Sequence, residues 1–66
     1  MYVFVVFGAK YDGDDLNFKF ISDDFTSYRA ASEEYFRKAA GYPVAFIEIY
    51  EDGDLVDNVR PTGIQL

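Results

Sequence analysis

Residues Tyr2-Val3-Phe4-Val5-Val6-Phe7 are β-branched or aromatic at every position. An apolar run on both faces predicts a central strand with something packed on each side. Tyr11-Asp12-Gly13-Asp14 follows, and Asp-Gly between two such runs is a strong hairpin signal because Gly accepts φ > 0. Leu16, Phe18 and Phe20 then alternate with Asn17 and Lys19, the period of a strand with one wet side. From about Phe25 to Ala40 the period becomes helical. Tyr28, Ala31, Ser32, Tyr35 and Ala39 share one face with Phe36 on its edge, and Arg29, Glu33, Glu34, Arg37 and Lys38 lie opposite. Ser22-Asp23-Asp24 offers N-caps, with acids where the helix dipole favours them. Glu33–Arg37 and Glu34–Lys38 are i,i+4 pairs in the better orientation, and Gly41 with Pro43 predicts the helix end. Val44 to Tyr50 alternates again, a turn follows at Glu51-Asp52-Gly53-Asp54, and a weaker strand covers Leu55 to Val59. Residues 61–66 are expected to fray.

The whole chain, 1–66, reads as a single small α+β domain. If the first strand runs up, the second runs down, the helix up and the third strand down. The third strand then pairs with the first, giving a three- or four-stranded antiparallel sheet of order 2-1-3 or 2-1-3-4. One helix packs on one face of it, in the element order ββαβ(β). A two-residue Asp12-Gly13 loop would pair Phe7 with Phe18 and Val5 with Phe20. On that register Val3, Val5, Phe7 and Ala9 meet the helix with Phe18 and Phe20. Tyr2, Phe4 and Val6 fall on the opposite face, joined there by Phe46, Glu48 and Tyr50. A register slip of one residue would exchange the two sets.

The uncovered face is therefore expected to carry Tyr2, Phe4, Val6, Phe46 and Tyr50. Apolar patches beyond a few hundred Å² on small proteins mark an interface or an aggregation hazard. Three occupants stay open: the C-terminal tail, a second copy of the chain, or another protein. The same topology places Asp12, Asp14 and Asp15 at one end of the sheet, and Asp23, Asp24, Glu51, Asp52 and Asp54 at the other. These acids either cap and solubilise the turns or face a basic partner, as a mimic of phosphates would.

Composition adds constraints. The 66 residues include seven Phe and six Tyr but no His, Cys or Trp, with a formal charge of −6. A chain this short buries only about 60% of its unfolded surface, and without Cys or His it has neither disulfides nor the commonest metal ligands. Large aromatics, at about 150–250 Å² each, must supply the burial. Acidity disfavours direct contact with nucleic acid or an anionic membrane. No stretch reads as a leader or approaches the roughly 18 apolar residues of a membrane span, so a cytoplasmic location is expected.

The chemistry of catalysis is thinly represented. Without His or Cys, a base with a pKa near 7 would have to be a buried carboxylate or a lysine. No phosphate-binding glycine loop, nucleophile elbow or metal-ligand spacing occurs, and Asp12-Gly13-Asp14-Asp15 lacks the length and distal Glu of a calcium-binding loop. No cofactor, metal or enzymatic activity is expected.

Two strands, an alanine-bearing helix, the turn Ala40-Gly41-Tyr42 into a strand, and Val59-Arg60-Pro61 near the end carry one resemblance. The chain resembles small phage-encoded ββαβ proteins, in particular the short inhibitors of host RNA polymerase made by short-tailed phages. The Asp52-Gly53 hairpin departs from that pattern. The resemblance implies a phage-encoded protein of the bacterial host cytoplasm that binds a host protein with a basic surface and transforms nothing. RNA polymerase or a nucleic-acid-handling defence enzyme would be the target. The alternative from the residues alone is a homodimer assembled through the uncovered face.

Overall fold

The computed structural model describes residues 1–62. Strands β1 (Tyr2–Asp12) and β2 (Asp15–Ile21) precede helix α1 (Tyr28–Glu34), which runs on as a π-helical segment, Tyr35–Ala39. Strands β3 (Val44–Glu51) and β4 (Asp54–Val59) complete the fold. The four strands form one antiparallel sheet of order β2-β1-β3-β4. This is the α+β arrangement that the hydrophobic pattern predicts, with the apolar run Tyr2–Phe7 of β1 between its neighbours. Pro61 and Thr62 follow β4 without regular structure, and the remainder of the tail expected to fray lies outside the described residues.

Turn chemistry sets both hairpins. Glu51 pairs with Asp54, and the intervening Asp52 and Gly53 have φ of 51° and 90°, the two positive values of a type I′ turn. At the first hairpin Asp12 pairs with Asp15, so the loop is Gly13-Asp14 and not Asp12-Gly13. Gly13, with φ of 66°, takes the first turn position.

The helix covers one face of the sheet. Beneath it Phe4, Val6, Ala31, Tyr35, Ala39, Ala45 and Ile47 form the core, with Phe20, Phe25, Phe36, Ile49 and Val59 packed around them. Val6 and Ile47 are fully buried. The cross-strand pairs explain the set: Phe4 opposes Ile49, Val6 opposes Ile47, and Gly8 opposes Ala45, and directly opposed residues share a face. Gly8 and Ala45 meet a helix whose inner positions are Ala31, Ser32 and Ala39, so small residues on both sides admit close approach. The ring of Tyr42 lies over Gly8, where a Cβ would come within 2.5 Å of it.

Here the structure reverses the expected sides of β1. Phe4 and Val6 lie under the helix, whereas Val3, Val5 and Phe7 face away from it. The expectation rested on β2, whose alternation is broken by a bulge. Gly8 pairs with Phe20 but Ala9 with Phe18, so Lys19 is an extra residue on β2. A bulge changes the face on which the following side chains fall. Phe20 turns in toward the core, with Lys38 Nζ 5.9 Å from its ring centre, while Phe18 stays on the opposite face.

The helix also begins later than the Ser22-Asp23-Asp24 caps predict. Ser27 is the N-cap, its hydroxyl accepting from Ala30 N at 3.3 Å. Residues 22–25 extend the sheet instead. Ser22 Oγ accepts from Val6 N at 2.8 Å, Ser22 N donates to Val6 O, and Phe25 bridges Phe4 in both directions. The physical reason is that β1 outruns β2, and its remaining N–H and C=O groups need partners when buried. At its other end the helix loosens to an i→i−5 bond, Ala40 N to Tyr35 O at 2.8 Å, which keeps Tyr35 and Ala39 both buried.

Candidate protein-docking face

Strand pairing fixes which side chains occupy the face away from the helix. From β1 come Val3, Val5 and Phe7, opposed on β3 by Tyr50, Glu48 and Phe46 respectively. Leu16 and Phe18 of β2 join them, as does Ile21, the partner of Phe7. Leu55 of β4 opposes Tyr50. Among the described residues, no helix covers this face.

Its centre is aromatic. The rings of Phe7 and Phe46 stack at 5.1 Å, Phe18 meets Phe7 edge-on at 5.6 Å, and Phe18 meets Phe46 at 6.4 Å. These are favourable offset and T-shaped geometries. Part of this cluster is nonetheless wet: Phe18 is 45% exposed, and Leu16 and Ile21 on the same strand are 38% and 59% exposed. Neighbouring aromatic and aliphatic groups exposed together form a continuous patch, unlike the scattered exposed apolar residues of ordinary surfaces.

Polar groups lie toward the other end. Tyr50 OH donates to Glu48 Oε1 at 2.7 Å. The phenol is pushed above its usual 10.0, first by that hydrogen bond, then by burial, then by the negative charges of Glu48 and Asp24. Asp24 stands across β1 from this pair. With Val3, Val5, Tyr50 and Gly53 it lines a shallow depression of about 320 Å³.

The residues expected at the interface divide accordingly. Phe46 and Tyr50 are on the uncovered face. Phe4 and Val6 are core residues, and Tyr2 lies on the helix side, stacked against Phe4 at 6.4 Å, because β1 presents its even-numbered positions to the helix. Phe7 and Phe18, expected in the core, are the centre of the uncovered face. The sequence carried one sign of this: Gly8 sits in the even-numbered column of β1, where a helix-side ring needs room.

The acids Asp23, Asp24, Glu51, Asp52 and Asp54 are all exposed. Glu51, Asp52 and Asp54 share the β3–β4 turn, and Asp24 shares the depression with Gly53 of that turn. Asp52 Oδ1 is 2.8 Å from the N-terminal ammonium, an exposed pair of small energetic consequence. Among the described residues, no three acids assemble into a group able to hold a metal ion. On the helix, Arg29 pairs with Glu33, and Arg37 and Lys38 both approach Glu34, so much of the positive charge is neutralised on the side away from the aromatic face. Among the described residues, no helix is long and apolar enough to cross a membrane.

No protein-family model, no curated protein and no solved structure matches the chain.

Proposed function

We propose that this is a non-enzymatic binding protein that docks on another protein through the uncovered sheet face. The observation that carries this reading is the Phe7–Phe18–Phe46 cluster, solvent-exposed at Phe18 and bordered on the same strand by exposed Leu16 and Ile21. Aromatic groups at the centre of a patch with charge at its margin resemble the make-up of protein interfaces. The class implied by the resemblance to short-tailed-phage inhibitors supports a host enzyme of transcription, or a nucleic-acid-handling defence enzyme, as the target. The net charge of −6 suits a target with a basic groove and a bacterial cytoplasmic setting. The lack of His and Cys supports binding without catalysis.

Capture from bacterial lysate on immobilised protein, repeated at rising salt, tests the reading. Phe18→Asp should abolish capture while leaving the far-ultraviolet circular dichroism unchanged. Neutralising Asp23, Asp24, Asp52 and Asp54 together should weaken capture and flatten its salt dependence. Capture that survives Phe18→Asp would exclude the face as the docking site. The same patch also supports a second reading, a homodimer through this face. A monomeric mass by light scattering at several hundred micromolar would eliminate it.

A further inference from the structure

The depression beside Tyr50 differs in kind from the aromatic cluster. Its floor is the pair Val3 and Val5 on β1. Asp24 forms one wall, from the segment that extends the sheet beyond β2. Tyr50 forms the other, on β3, and Gly53 leaves the end open without a side chain. Asp24 and Tyr50 flank β1 from opposite sides, so their backbones are separated by about two strand spacings, roughly 10 Å. We propose that this depression receives an arginine side chain of the docked protein, its alkyl stem over Val3 and Val5 and its guanidinium between Asp24 and Tyr50.

Three features select this ligand. At about 320 Å³ the depression lies at the lower limit of ligand pockets, suited to one side chain. An aliphatic side chain would fill the floor but strip water from the Asp24 carboxylate and give nothing back. An anion would meet Asp24 and the Glu48 carboxylate behind Tyr50. A guanidinium is weakly hydrated, planar, able to stack on a phenol ring and able to take a carboxylate in paired hydrogen bonds. The Tyr50 phenol is raised by the same Glu48 and Asp24 carboxylates, which polarise the site negatively. The depression is continuous with the uncovered face, so an entering side chain brings its parent surface onto Phe46 and Phe7. The inference thus rests on the docking reading and specifies the partner's contact.

The test is a titration of the 15N-labelled protein with N-acetyl-arginine-amide, followed by amide shifts. Saturable shifts confined to Val3, Val5, Asp24, Tyr50 and Gly53 are expected, with a Kd on the order of millimolar, as befits one side chain. Asp24→Asn should weaken binding roughly fivefold, the effect of losing about 1 kcal/mol of charge-assisted hydrogen bonding. Asp14→Asn, at the opposite end of the sheet, should leave it unchanged. N-acetyl-norleucine-amide should bind more weakly by a similar factor. Free arginine should do so as well, since its carboxylate meets the same negative walls. Equal shifts from the norleucine compound, equal losses in Asp14→Asn and Asp24→Asn, or no saturable shift would each overturn the proposal. Capture is read through Phe18, which pairs with Ala9 toward the other end of β1, so loss of the arginine site leaves the docking face independently testable.

Discussion

Replacing Gly8 by Ala is the sharpest test of how β1 is oriented. If β1 presented its odd-numbered residues to the helix, position 8 would lie on the open face. Ala would then be neutral or stabilising by about 0.5–1 kcal/mol, because it limits the unfolded chain more than Gly does. The structure predicts the opposite. A Cβ at position 8 would lie 2.5 Å from Cδ2 of Tyr42, 3.1 Å from Cε2 and 3.2 Å from Cγ. Carbon contacts prefer about 3.5–4.0 Å, so the ring must retreat by about an ångström from a site beside the helix. Overpacking of this kind costs about 1–3 kcal/mol. Gly8 does not have a positive φ, so the backbone adds no strain and the chain-entropy gain still applies. The net destabilisation is therefore about 1–2 kcal/mol. In a domain of this size it lowers Tm by roughly 4–16 °C. Urea unfolding followed by circular dichroism, run as a double-mutant cycle with Tyr42→Ala, isolates the contact. In the Tyr42→Ala background Gly8→Ala should cost nothing, giving a coupling above about 1 kcal/mol. A coupling below about 0.5 kcal/mol, the scatter of independent sites, together with a neutral Gly8→Ala, would refute the orientation of the strand.

Ile47→Ala opens a cavity at the centre of the core and should cost about 2–5 kcal/mol, enough to leave a domain this small largely unfolded at 25 °C by circular dichroism. Ile47→Val should cost only about 0.5–1.5 kcal/mol. Ser32 Oγ is buried without a hydrogen-bond partner among the described residues. Ser32→Ala therefore removes an unsatisfied group and improves helix propensity, and should raise stability by about 1 kcal/mol in urea melts. Tyr50 ionises less readily folded than unfolded, because the neutral phenol donates to Glu48 and faces negative charge. The unfolded chain thus loses this proton first, and the group's stabilising contribution, complete below pH 10, falls as pH rises through the folded value. Tyr50→Phe should flatten that alkaline fall when Tm is measured from pH 8 to 11.

The element order, the antiparallel topology and the inner face of the helix are legible in the sequence because each follows from local periodicity. Ala31, Ser32 and Tyr35 sit where a 3.6-residue repeat puts them, and the Asp52-Gly53 turn is specified by its own residues. What escapes is decided between distant segments. Lys19 looks like an ordinary outward residue of an alternating strand, yet the bulge there moves Phe20 to the core side and leaves Phe18 outside. Nothing near Lys19 in the sequence marks it as the extra residue. Ser22 has the composition of a helix cap, but its hydroxyl is drawn to Val6 N because β1 is longer than its partner. The candidate site inherits both errors. Phe46 and Tyr50 are found correctly from β3 alone, whereas Phe7, Phe18 and the wall formed by Asp24 depend on the bulge and on the strand-like path of residues 22–25.

The aromatic content of the chain has a structural explanation that composition alone leaves ambiguous. One helix covers one face of a four-stranded sheet, and in a chain of 66 residues that single layer must furnish nearly all the burial that holds the fold. The small residues at the helix–sheet contact, Gly8 and Ala45 on the sheet and Ala31 and Ala39 on the helix, bring the two close but contribute little apolar area themselves. Rings at the margin, Phe20, Phe25, Phe36 and Tyr42, make up the difference. Phe7, Phe18 and Phe46 are not drawn into that layer, because their strand positions point them the other way. Their mutual stacking recovers part of the cost of exposure, and covering them with a partner would recover the remainder. A folded state that leaves apolar area uncovered is stabilised by whatever binds it, by mass action. On the docking reading, a partner that covers Phe7, Phe18 and Phe46 would therefore raise the stability of the domain.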